Sequence, residues 1–221
     1  MKDESNVQEE IHSEFQVERL ILFSDAVFAI VITLMALDIK LPEHQEALSY
    51  EAYAKELLEL IPRLLAYSIS FIFIGFTWYQ HLKIFAGVRR FNGGLVFRNL
   101  LLLFLISFFP FGVSQSTHPN NANLLPQLVY FVIIALSRLA QLNLQHYILF
   151  KHPELRVADS IREEIFSYRR SRLAMGLMLI IFVLVALTYV LLPTPELKNF
   201  AWWWFMPFPI LLRILQKRIK R

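Results

Sequence analysis

The sequence predicts an all-α membrane protein with six spanning helices per subunit, and three observations carry that reading. Of the 221 residues 56% are hydrophobic, 20 residues are Phe, and the mean hydropathy is +0.47, more apolar surface than a water-soluble domain of this length can hide. Six apolar windows follow one another with little chain between them, each near the 20 or so residues that cross a hydrocarbon core about 30 Å thick. Basic residues crowd alternate connections, as they do in a chain threaded back and forth across a bilayer.

The windows lie at roughly 18–41, 61–83, 95–115, 125–149, 173–193 and 200–216. A polar, acidic tail over 1–17 precedes the first. It lacks the basic start, short apolar run and small-residue cleavage site of a signal peptide, so the first window reads as a retained helix. The connection 43–59 is acidic and follows Leu41-Pro42, a natural helix stop. Residues 53–60 suit a short helix ahead of Pro62, which fits the start of the second span. Residues 116–123 form a polar, uncharged loop, whereas 151–172 is too charged to span and reads as an amphipathic linker. Trp202, Trp203 and Trp204 begin the last window, where indoles settle at headgroup level and form an interface belt.

Short cytoplasmic loops retain Lys and Arg during insertion. The tail, the connection between the second and third windows, the linker 151–172 and the C-terminus, taken with the adjoining window ends that carry Arg19, Lys83, Arg98 and Arg213, hold 17 of the 22 basic residues. The opposite side holds Lys40, Lys55, Arg63 and Lys198, and Arg138 lies inside the fourth window. Both termini are therefore expected in the cytoplasm. The basic clusters abut membrane ends on one side only, so anionic lipid headgroups account for them and nucleic acid is not expected.

The chain has no Cys, which excludes disulfides and thiolate metal sites. It carries no Gly-rich phosphate cradle, His-Glu-x-x-His helix or Gly-x-Ser-x-Gly elbow, so neither enzyme chemistry nor a bound cofactor is expected.

The first window is unusual in setting Ser24 and Asp25 within an apolar run. A carboxylate in hydrocarbon costs a few kcal/mol, so such a residue faces protein or water and has a partner. Two roles compete for Asp25: an ion or proton ligand, or a structural member of a hydrogen-bonded network. At about 100° per residue, Leu34 and Leu37 fall within about 40° of Ile30, and Asp25 lies about 140° away, behind that apolar stripe. This favours the structural role. Arg19 is six residues off and on another face, while Trp78 and His81 of the second window offer donors near the same membrane end.

Arg19, Phe23-Ser24-Asp25-Ala26, Ile30, Thr33 and Leu34 resemble the first helix of the transmembrane protein 175 family, the lysosomal potassium channel and its shorter bacterial homologues. Six spans with cytoplasmic termini also match one repeat of that family, and Trp78 and His81 match its second-helix pattern. The resemblance implies a potassium-permeable cation channel formed by residues 18–221, assembled as a homotetramer in a prokaryotic plasma membrane, with the first helix lining a central pore. It implies a hydrophobic constriction at Ile30 with further layers at Leu34 and Leu37, and a structural or gating network of Arg19, Phe23, Ser24, Asp25, Trp78 and His81. An apolar ring can gate by dewetting, because an ion that sheds water there gains no oxygen ligand.

Thr33 lies about 60° off the stripe, so its hydroxyl can reach the pathway or bond a backbone carbonyl; the resemblance implies a part in potassium selectivity. The Thr-Val-Gly-Tyr-Gly filter is absent. The rival reading is a secondary or proton-coupled transporter using Asp25, His81 and Arg138. Such a carrier is expected to show discontinuous helices or internal repeats, and no convincing duplication occurs. Arg138 lies beside Ser137, Gln141, Asn143 and Gln145, a polar stretch able to bury it.

Overall fold

The computed structural model describes residues 2–37, 39, 49–116, 124–156, 161–191, 211 and 213–215. Its helices are α1 (Lys2–Leu37), α2 (Tyr50–Glu59), α3 (Ile61–Phe85), α4 (Gly93–Ile106), α5 (Phe109–Ser116), α6 (Leu124–His146) and α7 (Ile161–Leu191), with a π-helical turn at Tyr147–Lys151 and a 3₁₀ turn at Pro153–Leu155. No strand occurs among the described residues. Among the described residues five apolar stretches are long enough to cross a membrane: Ile11–Leu37, Tyr50–Phe85, Gly93–Ser116, Leu125–Lys151 and Glu163–Thr188. The window 200–216, apart from 211 and 213–215, lies outside the described residues, as do Trp202 to Trp204 and most of the loop 116–123.

Hydropathy and helicity differ at three places. The tail 1–17 is helical from Lys2, so α1 runs for 36 residues, about 54 Å at 1.5 Å per residue, and outreaches the bilayer core. The second half of the linker 151–172 belongs to α7, which starts at Ile161 with Glu163 and Glu164 in its first turn, where carboxylates suit the helix dipole. The window 95–115 is broken between α4 and α5 at Ser107 and Phe108. Pro110 has no N–H to offer the carbonyl of Ile106, and Phe108 N–H turns to the carbonyl of Leu105 at 3.3 Å.

Side chains cap two of the helices. Ser49 caps α2 by accepting from Ala52 N–H, and Asn92 caps α4 by accepting from Leu95 N–H at 2.7 Å. The expected short helix at 53–60 extends over Tyr50–Glu59 and leads almost directly into α3.

Helix α1 packs on α3, α4 and α5, and α6 packs on α4, α5 and α7. Phe28, Val31 and Met35 of α1 meet Ile74, Leu95, Leu102, Ile106 and Phe109 in one buried cluster that continues to Leu144 and Ile148. Lipid is as apolar as Leu, so close packing and interhelical hydrogen bonds hold such a cluster together.

One end of the bundle is laced by its connections. Ser13 Oγ accepts from Phe91 N–H at 2.9 Å, and Glu14 pairs with Arg89 at 2.8 Å. The amides of Arg89 and Arg90 both donate to the carbonyl of Leu155, and Arg156 pairs with Glu164. The α1 extension, the α3–α4 connection and the start of α7 thus share one membrane side. Close packing there has a test at Gly94, where an added Cβ would stand 2.1 Å from the hydroxyl of buried Tyr147, whereas at Gly75 nothing lies within 4 Å. Gly94→Ala is expected to destabilise by about 1–3 kcal/mol and Gly75→Ala to be neutral or slightly stabilising. Melting curves of the purified protein in detergent check this, and equal melting temperatures would contradict it.

Candidate functional site

Helix α1 has two faces. Val17, Leu20, Ser24, Phe28, Val31 and Met35 are buried against the rest of the chain. Ile30, Leu34 and Leu37 stand 56%, 45% and 61% exposed, and Thr33 is exposed beside them. The hydroxyl of Thr33 donates within its own helix, to the carbonyls of Ile30 at 2.9 Å and Ala29 at 3.1 Å. Both openings left by the sequence are therefore visible at this residue: the side chain shares the open face, and its proton is engaged by backbone.

Behind that face three helices are tied by a directed chain of hydrogen bonds. The carbonyl of Leu20 can only accept, so Ser24 donates its hydroxyl proton there at 2.7 Å. The Ser24 oxygen then accepts from Asn99 Nδ2 at 2.8 Å. This turns the Asn99 carbonyl oxygen to His81 at 2.7 Å, and Nε2 of His81 must be the donor. Ser24, His81 and Asn99 are each fully buried. The imidazole packs against the rings of Phe28 and Phe85, at 5.7 and 4.5 Å between centroids, and no partner reaches its Nδ1 among the described residues.

Asp25, half-buried, is held separately: Trp78 Nε1 donates to its Oδ1 at 2.8 Å. Of the six residues expected in one network, Ser24 and His81 join through Asn99, and Asp25 joins Trp78. Arg19 and Phe23 stand outside both. Arg19 is exposed with its guanidinium 6.0 Å over the Phe15 ring, and Phe23 is 52% exposed, because their positions on α1 turn them away from α3 and α4. Asn99 escaped the sequence reading, although a lone Asn in the run Leu95–Ile106 is the same kind of anomaly as Asp25.

Arg138 is buried in a second polar layer. Its Nη1 donates to Gln141 Oε1 and Gln80 Oε1, and Gln141 Nε2 donates to the carbonyl of Thr77 at 2.8 Å. No carboxylate pairs with it among the described residues.

Apolar spanning helices, buried polar ties and an open face on α1 define a multi-pass α-helical membrane protein. A family model described as the endosomal/lysosomal potassium channel TMEM175 matches residues 19–110. A potassium channel of Chryseobacterium sp. (strain P1-3) is 35% identical over 134 residues, 59% of this chain and 64% of that one. The endosomal/lysosomal proton channel TMEM175 of Danio rerio is 29% identical over 152 residues, 68% of this chain and 28% of that one. The crystal structure of a lysosomal potassium-selective channel TMEM175 homolog from Chamaesiphon minutus superposes with a TM-score of 0.66 at 28% identity, covering 91% of this chain and 98% of that one. In sequence and in fold the chain is thus similar to members of the TMEM175 family. Its match spans between half and two thirds of the length of the bacterial relatives.

Interhelical hydrogen bonds in membranes contribute about 0.6 kcal/mol on average and up to about 1.7. Asn99→Leu removes two of them and leaves a buried imidazole N–H unpaired, so it is expected to lower stability by about 1–3 kcal/mol. Trp78→Phe, which removes one half-exposed bond, is expected to cost roughly half a kcal/mol to one. Thermal unfolding in detergent ranks the two, and an Asn99→Leu protein as stable as the parent would remove Asn99 from the tie.

Proposed function

We propose that this chain is one subunit of a potassium-permeable cation channel, a homotetramer whose four α1 helices line a central pore. The observation that carries the reading is the open face of α1: Ile30, Leu34 and Leu37 are bare while the opposite face of the same helix is bonded and buried in its own subunit. A helix so held presents its stripe to copies of itself. In that assembly the three side chains form stacked apolar rings that close to ions by dewetting, and Thr33 sits at their level. The relatives named as potassium channels and the potassium-selective solved homologue support the permeant ion. The domain is residues 18–221 with a tail over 1–17, set in a prokaryotic plasma membrane with both termini cytoplasmic, in keeping with the basic residues on one side.

A proton-coupled carrier is not favoured. It would gather Asp25, His81 and Arg138 around one substrate or proton path, whereas each has its own partners: Trp78, Asn99, and the amides of Gln80 and Gln141.

Planar bilayers under a potassium gradient test conduction. Unitary currents are expected, and slow saturable flux that depends on a second gradient would point to the carrier instead. Ile30→Asn, which wets the constriction, is expected to raise conductance several-fold; an unchanged conductance would take Ile30 out of the pathway. Asp25→Asn is expected to impair assembly or opening with ion preference retained, and a changed selectivity at normal expression would reverse that assignment.

A further inference from the structure

Helices α4, α6 and α7 enclose a lateral crevice of about 660 Å³ whose two ends differ in chemistry. One end is cationic and is formed by Arg98, Lys151 and Arg172; the other is lined by Leu101, Leu105, Leu136 and Leu139. Leu101 and Leu105 lie about 4.5 and 10 Å beyond Arg98 along α4, and Leu139 and Leu136 lie about 18 and 22 Å back from Lys151 along α6 and its π-helical turn, taking 1.5 Å per residue throughout. The crevice therefore runs along the helices, from a charged mouth to an apolar floor. Its mouth is at the bundle end where Arg89, Arg90 and Arg156 also gather.

Arg98 is fixed at the mouth. Its guanidinium lies 3.8 Å over the Tyr147 ring and donates to Asn143 Oδ1 and to the carbonyl of Gly94, each at 3.0 Å. Arg172 stands 5.7 Å over the Tyr168 ring, and Lys151 is exposed. Among the described residues no carboxylate pairs with any of the three. The sequence following α7 offers one acid, Glu196, against six basic residues.

We infer that this crevice binds an anionic phospholipid, with the phosphate at Arg98, Lys151 and Arg172 and one acyl chain along the leucines. Basic pockets between spanning helices on the cytoplasmic side suit such headgroups, and a leucine floor gives a free anion nothing to bind. The inference is independent of conduction.

Native mass spectrometry of the full-length protein in detergent, titrated with dioleoylphosphatidylglycerol or dioleoylphosphatidylcholine, tests it. The anionic lipid is expected to be retained at least about tenfold more tightly. The double variant Lys151→Gln, Arg172→Gln is expected to lose that preference; Arg98 is left in place because it joins α4 to α6. Leu139→Trp keeps every cation but fills the floor, and is expected to weaken retention of the anionic lipid. Equal retention of the two lipids by the parent protein would overturn the proposal, as would an unchanged preference in the double variant. Displacement of the lipid by inorganic phosphate would replace it with a free-anion site, and undiminished binding in Leu139→Trp would place the acyl chain elsewhere.

Discussion

The hydroxyl proton of Ser24 goes to the carbonyl of Leu20, and this small commitment orients much of the chain. With that proton spent, the oxygen of Ser24 can only accept, so Asn99 must present its amide nitrogen and turn its carbonyl oxygen to His81. Three helices are thereby held at one level, with α1 rotated so that Phe28, Val31 and Met35 face inward. Ile30, Leu34 and Leu37 are left on the outside as a direct consequence. The open stripe and the buried bonds are two sides of one rotation of α1.

A second polar layer does the same work between α3 and α6. Arg138 has no carboxylate among the described residues, and its charge is spread over the amides of Gln80 and Gln141, with Gln141 tied back to Thr77. Water is scarce at that depth, so an unpaired guanidinium there would be costly, and satisfied polar groups fix which faces of the helices meet. Helix α6 in turn carries α7, whose charged first turns join the laced end through Glu164 and Arg156. The polar layers set rotation, and the connections set which ends lie together.

Much of this was legible in the chain because membranes punish anomalies. Five of the six apolar windows correspond to helical spans, the third of them broken between α4 and α5, and Asp25 and Trp78, both out of place in their surroundings, are bonded to each other. Asn99 carried the same signal in weaker form, one amide in a run of leucines, and only its position opposite Ser24 and His81 reveals what it does. The break before Pro110 was hidden because hydropathy averages over it. The lengths of α1 and α7 were hidden for a related reason: a window reports apolarity, while the polar turns of Glu14 and Arg169 are helical without being apolar. The resemblance grouped Arg19 and Phe23 with the network, and the geometry separates them, since a shared motif does not specify which residues touch.

The proposed channel requires the bare face of α1, and not its buried face, to meet the ions. The chain contains no Cys, so a single introduced cysteine is a unique probe, and thiol-reactive block of potassium current in a bilayer reads its access to the pathway. Block is expected for Ile30→Cys, Leu34→Cys and Leu37→Cys and none for Val31→Cys or Met35→Cys. Block at Val31 or Met35 with indifference at Ile30 would contradict it.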